Sequence, residues 1–203
     1  MSDAASLRLE QRLAALLPTF STSEAHAADL SPRDLATLVA SGELDELSRG
    51  VYRLASAPET AHADLLAVAR RAPHAIVCGE SALSLHELID DIPSAVHIAV
   101  SRGSHRPRIT YPPTVVSQYK AEHFRLDVES FDAAPGETVP VYGAARSVVD
   151  AMRFRHRTGE ALALSALARY LREGRNRVTR LQQVADELGA LPLIRPAVEA
   201  ILA

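Results

Sequence analysis

Two helix starts stand close together near the front of the chain, and they leave room for only a tight turn between two short helices. Ser21 is followed three residues on by Glu24, the spacing at which a hydroxyl and a carboxylate cap each other's backbone amides. Ser31 precedes Pro32, whose ring suits the first helical position. Gly42 is a natural stop for the second helix, and Leu44 to Leu54 then read as two short strands joined at Arg49-Gly50. Helix, turn, helix and hairpin in that order make a compact winged helix-turn-helix, with the Arg49-Gly50 joint as its wing.

The faces of the second helix say what such an element would do. Leu35, Leu38 and Val39 share one side at helical spacing, which leaves Arg33, Asp34 and Thr37 pointing outward. In a helix-turn-helix that outward face enters the DNA major groove with its first turn nearest the base edges, and the wing touches the backbone. Ser31, Arg33 and Thr37 are therefore the expected contacts of the helix, and Arg49, Tyr52 and Arg53 those of the wing. A small helical domain used for protein contact is the alternative. Charge weighs on the DNA side of the choice, because residues 1 to 60 hold five arginines against nine acids, a net of −4. Phosphate neutralisation drives most DNA binding, and Asp45 and Glu46 stand in the wing itself.

Behind this element the chain reads as a mixed α/β domain ending in packed helices, so the whole is an α/β (α+β) chain. A first helix from about Ser6 to Leu17, with Leu9, Leu13, Leu16 and Leu17 on one face and Pro18 closing it, is expected to brace the two that follow. Ser56 to Thr60 is the linker candidate, which divides the chain into a DNA-binding domain over 1–58 and a second domain over 59–203. His62 to Arg71 reads as a connecting helix. Strands are expected at 75–78, at Val96 to Val100, at Thr114 to Tyr119 and from Phe124 to Phe131, and helices over Glu160 to Leu171 and Thr179 to Leu188. From Ala145 to Arg180 nine arginines face three acids, a net of +6. An arginine fork matches both phosphate and carboxylate, so such a run could hold nucleic acid or an acidic protein face.

Composition excludes several classes. The 203 residues, 47% of them hydrophobic, have a mean hydropathy near zero, and no apolar run approaches the roughly 20 residues of a membrane span. The start Met1-Ser2-Asp3-Ala4-Ala5 carries no secretory signal, so a cytoplasmic protein with no membrane partner is expected. The single cysteine, Cys78, lies in an apolar run and excludes an internal disulfide. Eight histidines show no metal spacing, and Glu80 and His86 would stand about 120 degrees apart on a helix. No Gly-x-Ser-x-Gly turn surrounds Ser81. The loop Ser101 to Arg108 combines glycine, hydroxyls and cations in a way that can hold an anion, but it has no Walker spacing. Neither enzymatic activity nor a cofactor is expected.

Several blocks together carry a family resemblance: Phe20-Ser21-Thr22-Ser23-Glu24-Ala25, Leu30-Ser31-Pro32-Arg33-Asp34-Leu35, Ser41-Gly42-Glu43-Leu44 and Arg49-Gly50-Val51-Tyr52-Arg53, then Gly79 to His86, Val96 to Val100 and Gly143 to Ala151. Their order resembles the AbiEi family of antitoxins from type IV toxin–antitoxin systems, whose wing is usually more basic than Leu44 to Ser48 here. The resemblance implies an N-terminal domain that represses its own operon at repeated promoter half-sites. It also implies a C-terminal domain that neutralises a nucleotidyltransferase-like toxin with an acidic metal site. On that reading Arg146, Arg153, Arg155, Arg157, Arg172, Arg175 and Arg177 would meet the toxin, and the chain would be a monomer in solution. Two rivals stay open: a plain winged-helix repressor without a toxin, and a phosphotransferase-type antitoxin that modifies its partner.

Overall fold

The computed structural model describes residues 2–172 and 177–203, the side chains of residues 2–7 and 177 apart. It divides into two compact units. The first takes the chain through His74 together with Pro107–Pro113 and Phe131–Val139, and the second takes Ala75–Arg106, Thr114–Ser130 and Pro140–Ala203. The first unit thus runs past residue 58 and draws in two later segments.

In the first unit the order is α1 (Ser2–Ala14), β1 (Thr19–Ser21), α2 (Thr22–Ala27), α3 (Pro32–Ala40), β2 (Leu44–Ser48), β3 (Val51–Leu54) and α4 (Ala63–Arg71). The strands form an antiparallel sheet in the order β1-β3-β2, with Phe20 opposite Tyr52 and Leu44 opposite Leu54. Phe20, Ala25, Leu30, Leu35, Leu38 and Leu44 make its buried core, against which Leu9, Leu13, Leu16 and Val39 pack. Each leucine fully removed from water contributes about 1.5–3 kcal/mol, so this small head draws its stability mainly from the apolar faces of three helices. The first helix ends at Ala14, earlier than its apolar spacing suggests, and Leu17 falls off the buried face, 47% exposed.

The later strands form a mixed sheet in the order β6-β5-β4-β8-β7. Its strands are β4 (Ile76–Val77), β5 (Val96–Ser101), β6 (Thr114–Tyr119), β7 (Val128–Ala134) and β8 (Glu137–Tyr142). Strand β5 runs antiparallel to β4 and parallel to β6, and β4 runs parallel to β8. Helices α5 (Gly79–Leu85), α6 (Ala144–Arg153), α7 (Arg155–Thr158), α8 (Glu160–Arg172), α9 (Arg177–Glu187) and α10 (Leu191–Leu202) complete the second unit. Its main core is helical: Val148, Val149 and Met152 of α6 meet Leu167 and Tyr170 of α8, Leu181 and Val184 of α9 and Ile194 of α10.

Most of the strands and helices read from the sequence are present, with one clear correction. The strand expected from Phe124 to Phe131 starts only at Val128. Ala121–His123 form a 3-10 turn instead, Phe124 is buried beside Ile76, Cys78 and Tyr142, and Asp127 takes a left-handed φ of 55°. That backbone breaks the extended run, and the Asp127 carboxylate accepts from the Arg146 amide at 3.0 Å and from the Arg180 guanidinium. The sequence reading also left β1, α6, α7, α10 and β8 unassigned.

Candidate functional site

The helix-turn-helix is built from two reciprocal caps. The Ser21 hydroxyl accepts from the Glu24 amide at 3.3 Å while Glu24 Oε2 accepts from the Ser21 amide at 2.7 Å. Ser31 and Asp34 repeat the exchange at 3.2 and 2.9 Å, with Pro32 in the first helical turn. Each cap satisfies amides that a helix start leaves open and puts a carboxylate at the positive end of the helix dipole. Burial works against the charge on Glu24, but the Ser21 amide and hydroxyl and the Arg70 guanidinium outweigh it and hold the carboxyl below its ordinary range. The Ser31 amide and hydroxyl do the same for Asp34. At the other end of α3, Gly42 adopts a φ of 76°, and the Glu43 amide reaches back to the Leu38 carbonyl at 2.9 Å. This left-handed stop turns the chain straight into β2.

Helix α3 presents the face expected of it. Leu35 and Leu38 are buried, while Ser31, Arg33 and Thr37 are exposed. The Ser31 hydroxyl is committed to its cap, and the Thr37 hydroxyl donates to the Arg33 carbonyl at 2.9 Å. The Arg33 side chain makes no bond to the rest of the protein among the described residues, and it lies on the first turn of α3.

The wing is held at its tip. Arg49 and Gly50 form the turn, Gly50 at a φ of 73°, and a side chain there would meet the Thr22 hydroxyl at 2.9 Å. The Gly50 carbonyl accepts from both the amide and the hydroxyl of Thr22, and its amide donates to Glu46 Oε1 at 3.0 Å. A bulge at Leu47 lets Glu46 reach across the turn, so the acid that composition counts against DNA binding has a structural task in the wing. Arg71 of α4 donates to the Arg49 carbonyl at 3.0 Å.

Two of the expected wing contacts do not point outward. Arg53 is buried, its guanidinium shared by Glu137, the Thr19 hydroxyl and the Pro58 carbonyl. Glu137 is itself fully enclosed and accepts from the Thr19 amide at 2.9 Å, so Arg53 neutralises a buried carboxylate and is unavailable to phosphate. Tyr52 is half-buried, with its ring 6.1 Å from that of Phe20. The alternation along β3 explains Arg53, since Val51 and Arg53 are the buried positions, while Tyr52 on the other face packs against the Phe20 core.

This arrangement of capped helix, tight turn and tethered wing coincides with a family match. Residues 8–55 match the model of a family described as "Transcriptional regulator, AbiEi antitoxin". Over that segment the chain is similar to the AbiEi antitoxin family. No curated protein matches the chain. An AbiEi antitoxin is a transcriptional regulator by its family description, and the matched segment runs from α1 through β3.

For the arginine run of the second unit, the AbiEi resemblance must be reconciled with where those side chains go. Arg146 is 1% exposed: Nε donates to Asp150 at 2.7 Å, Nη1 donates to the His123 carbonyl at 2.9 Å, and the guanidinium lies 4.6 Å from the centre of the Tyr142 ring. Arg146 is therefore a core clamp and cannot meet a toxin. Arg153 also pairs with Asp150, at 2.8 Å, and Arg155 pairs loosely with Glu160 at 3.7 Å. Arg157 and Arg172 are exposed, but Arg172 closes α8 while Arg157 precedes its start, roughly 18 Å away along the helix at 1.5 Å per residue. Arg175 lies outside the described residues, as does the side chain of Arg177.

Chemistry-bearing side chains elsewhere are packed. Burial pushes the Cys78 thiol well up, with Asp150 adding to the effect, which makes it inert at neutral pH. Ser81 donates to the Ala95 carbonyl and accepts from the His97 amide. Of the anion-like loop, Arg106 donates to the Val116 carbonyl at 2.8 Å. Among the described residues no three histidine, cysteine or acidic side chains gather in a metal-binding geometry, and no helix is long and apolar enough to cross a membrane.

Proposed function

We propose that this chain represses its own operon by reading promoter half-sites with α3 and the wing, and that its second domain, over residues 59–203, neutralises a nucleotidyltransferase-like toxin. One observation carries the DNA half: α3 exposes Arg33 and Thr37 on a doubly capped helix beside a tethered wing, in a segment that matches a family of transcriptional regulators. Arg33 reads a base edge, Thr37 supports it, the Ser31 end of the helix approaches a phosphate, and Arg49 meets the backbone. The toxin half draws on the antitoxin description of the family. Its contact set is Arg153, Arg155, Arg157 and Arg172 together with Arg175 and Arg177. The protein binds each half-site as a monomer.

The test uses the whole chain. A chain begun near residue 60 would leave Glu137 buried without Arg53 and the Thr19 amide, so loss of function there would report misfolding. Full-length protein should retard a duplex from its own upstream region, and Arg33→Ala should weaken that duplex more than a scrambled one. Co-expression with the product of the adjacent gene should restore growth, and charge reversal at Arg155 and Arg157 should abolish the rescue while promoter binding survives. A plain repressor without a toxin is the second reading, favoured by the internal partners of Arg146, Arg153 and Arg155. It would be adopted if the neighbouring gene product neither binds the chain nor affects growth.

A further inference from the structure

Around the wing the first unit gathers cations that the helix-turn-helix itself does not supply. Arg71, the last residue of α4, donates from Nη1 to the Arg49 carbonyl at 3.0 Å and from Nη2 to the Arg108 carbonyl at the long distance of 3.5 Å. One guanidinium therefore spans the wing tip and the segment Pro107–Pro113. The Ser48 hydroxyl adds a second tie to that segment, donating to the Tyr111 carbonyl at 2.6 Å. Arg49, Arg71 and Arg108 are all exposed, and Tyr111 beside them is 61% exposed.

None of these three arginines has a carboxylate partner among the described residues. Arg70, their neighbour in sequence, pairs with Glu24 at 2.9 Å, and Arg53 pairs with Glu137. Exposed cations without an acid partner remain available to an anion from outside the protein. The nearby acid Glu46 is held at the wing turn by the Gly50 amide, and Asp45 is exposed on β2. Three exposed guanidiniums on backbone segments that Arg71 ties together fit the phosphates of a duplex backbone, which bind through charge and release of counterions.

We propose that Arg49, Arg71 and Arg108 form a phosphate clamp that grips duplex DNA beside the groove entered by α3, supplying the cationic contact that the acidic wing lacks. The clamp rests on the promoter-binding reading, and it draws Arg71 and Arg108 from outside the matched segment of residues 8–55. It carries no base preference, because guanidinium-to-phosphate contacts set register and affinity without reading sequence.

The deciding variant is Arg108→Ala, since that side chain makes no bond within the protein among the described residues and its loss leaves the wing tether in place. Arg71→Ala and the double variant accompany it. Full-length proteins are titrated by fluorescence anisotropy against a duplex from the upstream region and a scrambled duplex over a range of NaCl concentrations. The log-affinity against log-salt slope should fall by about 1 for each arginine removed and by about 2 in the double variant. Both duplexes should weaken by the same factor. An unchanged slope for Arg108→Ala in a wild type that does bind overturns the clamp alone. Loss confined to the upstream duplex, or loss of growth rescue with DNA binding intact, also overturns it, assigning Arg108 to base reading or to a protein partner. Failure of the wild type to bind either duplex removes the promoter reading and the clamp together.

Discussion

In the second unit several arginines meet carboxylates: Arg146 and Arg153 share Asp150, Arg169 takes Asp90, and Arg180 takes Asp127. Around the wing of the first unit, Arg33, Arg49, Arg71 and Arg108 meet carbonyl oxygens or solvent. The linear charge balance runs the other way, net acidic over residues 1 to 60 and strongly basic from Ala145 to Arg180. What attracts a polyanion is the set of cations left without a partner after folding, and a count along the sequence cannot see the pairing.

The largest effect that can break this contrast is expected at Arg146. Arg146→Ala leaves the buried Asp150 with Arg153 alone and frees the His123 carbonyl, and should destabilise the protein by about 3 kcal/mol, read by urea denaturation. A variant as stable as wild type that has lost only growth rescue would return Arg146 to the toxin surface. Next comes Arg33→Ala, expected to cost about 1–3 kcal/mol on the specific duplex and little on scrambled DNA. Equal losses on both would make Arg33 a phosphate contact like the wing arginines. Ser31→Ala removes one reciprocal cap and should cost about 1 kcal/mol of stability, measured by denaturation, with promoter affinity falling only through the population of folded α3.

The smallest effect concerns acid. Burial lowers the His97 pKa in the second unit, against a weaker pull upward from Glu80. Its unfolded form then binds more protons than its folded form, so stability should fall as the pH drops below about 6.5. In the first unit the depressed carboxyls of Glu24 and Asp34 contribute stability above the unfolded carboxylate range, and they lose it only as the pH falls through their lower folded values. Hydrogen exchange at falling pH should therefore loosen amides around β5 before those at the starts of α2 and α3. The reverse order would show that the caps carry less than their geometry implies.

Local chemistry was the legible part. Ser21 with Glu24, Ser31 with Pro32 and Asp34, and Gly42 specify two helices and a stop through contacts between residues a few positions apart, and the outward placement of Arg33 and Thr37 followed from helical spacing. Strand β6 came out at its bounds because Thr114 to Tyr119 is rich in β-forming residues. Helix α6 went unread although its apolar residues are periodic, since Arg146 and Asp150 interrupt the pattern with charges that only their mutual bond makes tolerable in a core.

The candidate contacts divide along the same line. The sequence alone determined the two capped helices, the hairpin after them and the outward face of α3, because caps, turns and amphipathic spacing are set by near neighbours in the chain. The tertiary structure decided which arginines remain free. Arg53 was consumed by Glu137, eighty-four residues away, and Arg71 was brought to the carbonyls of both Arg49 and Arg108. A guanidinium reaches several ångströms from its backbone and binds whatever acceptor the fold delivers, so its role depends on contacts that no local pattern encodes.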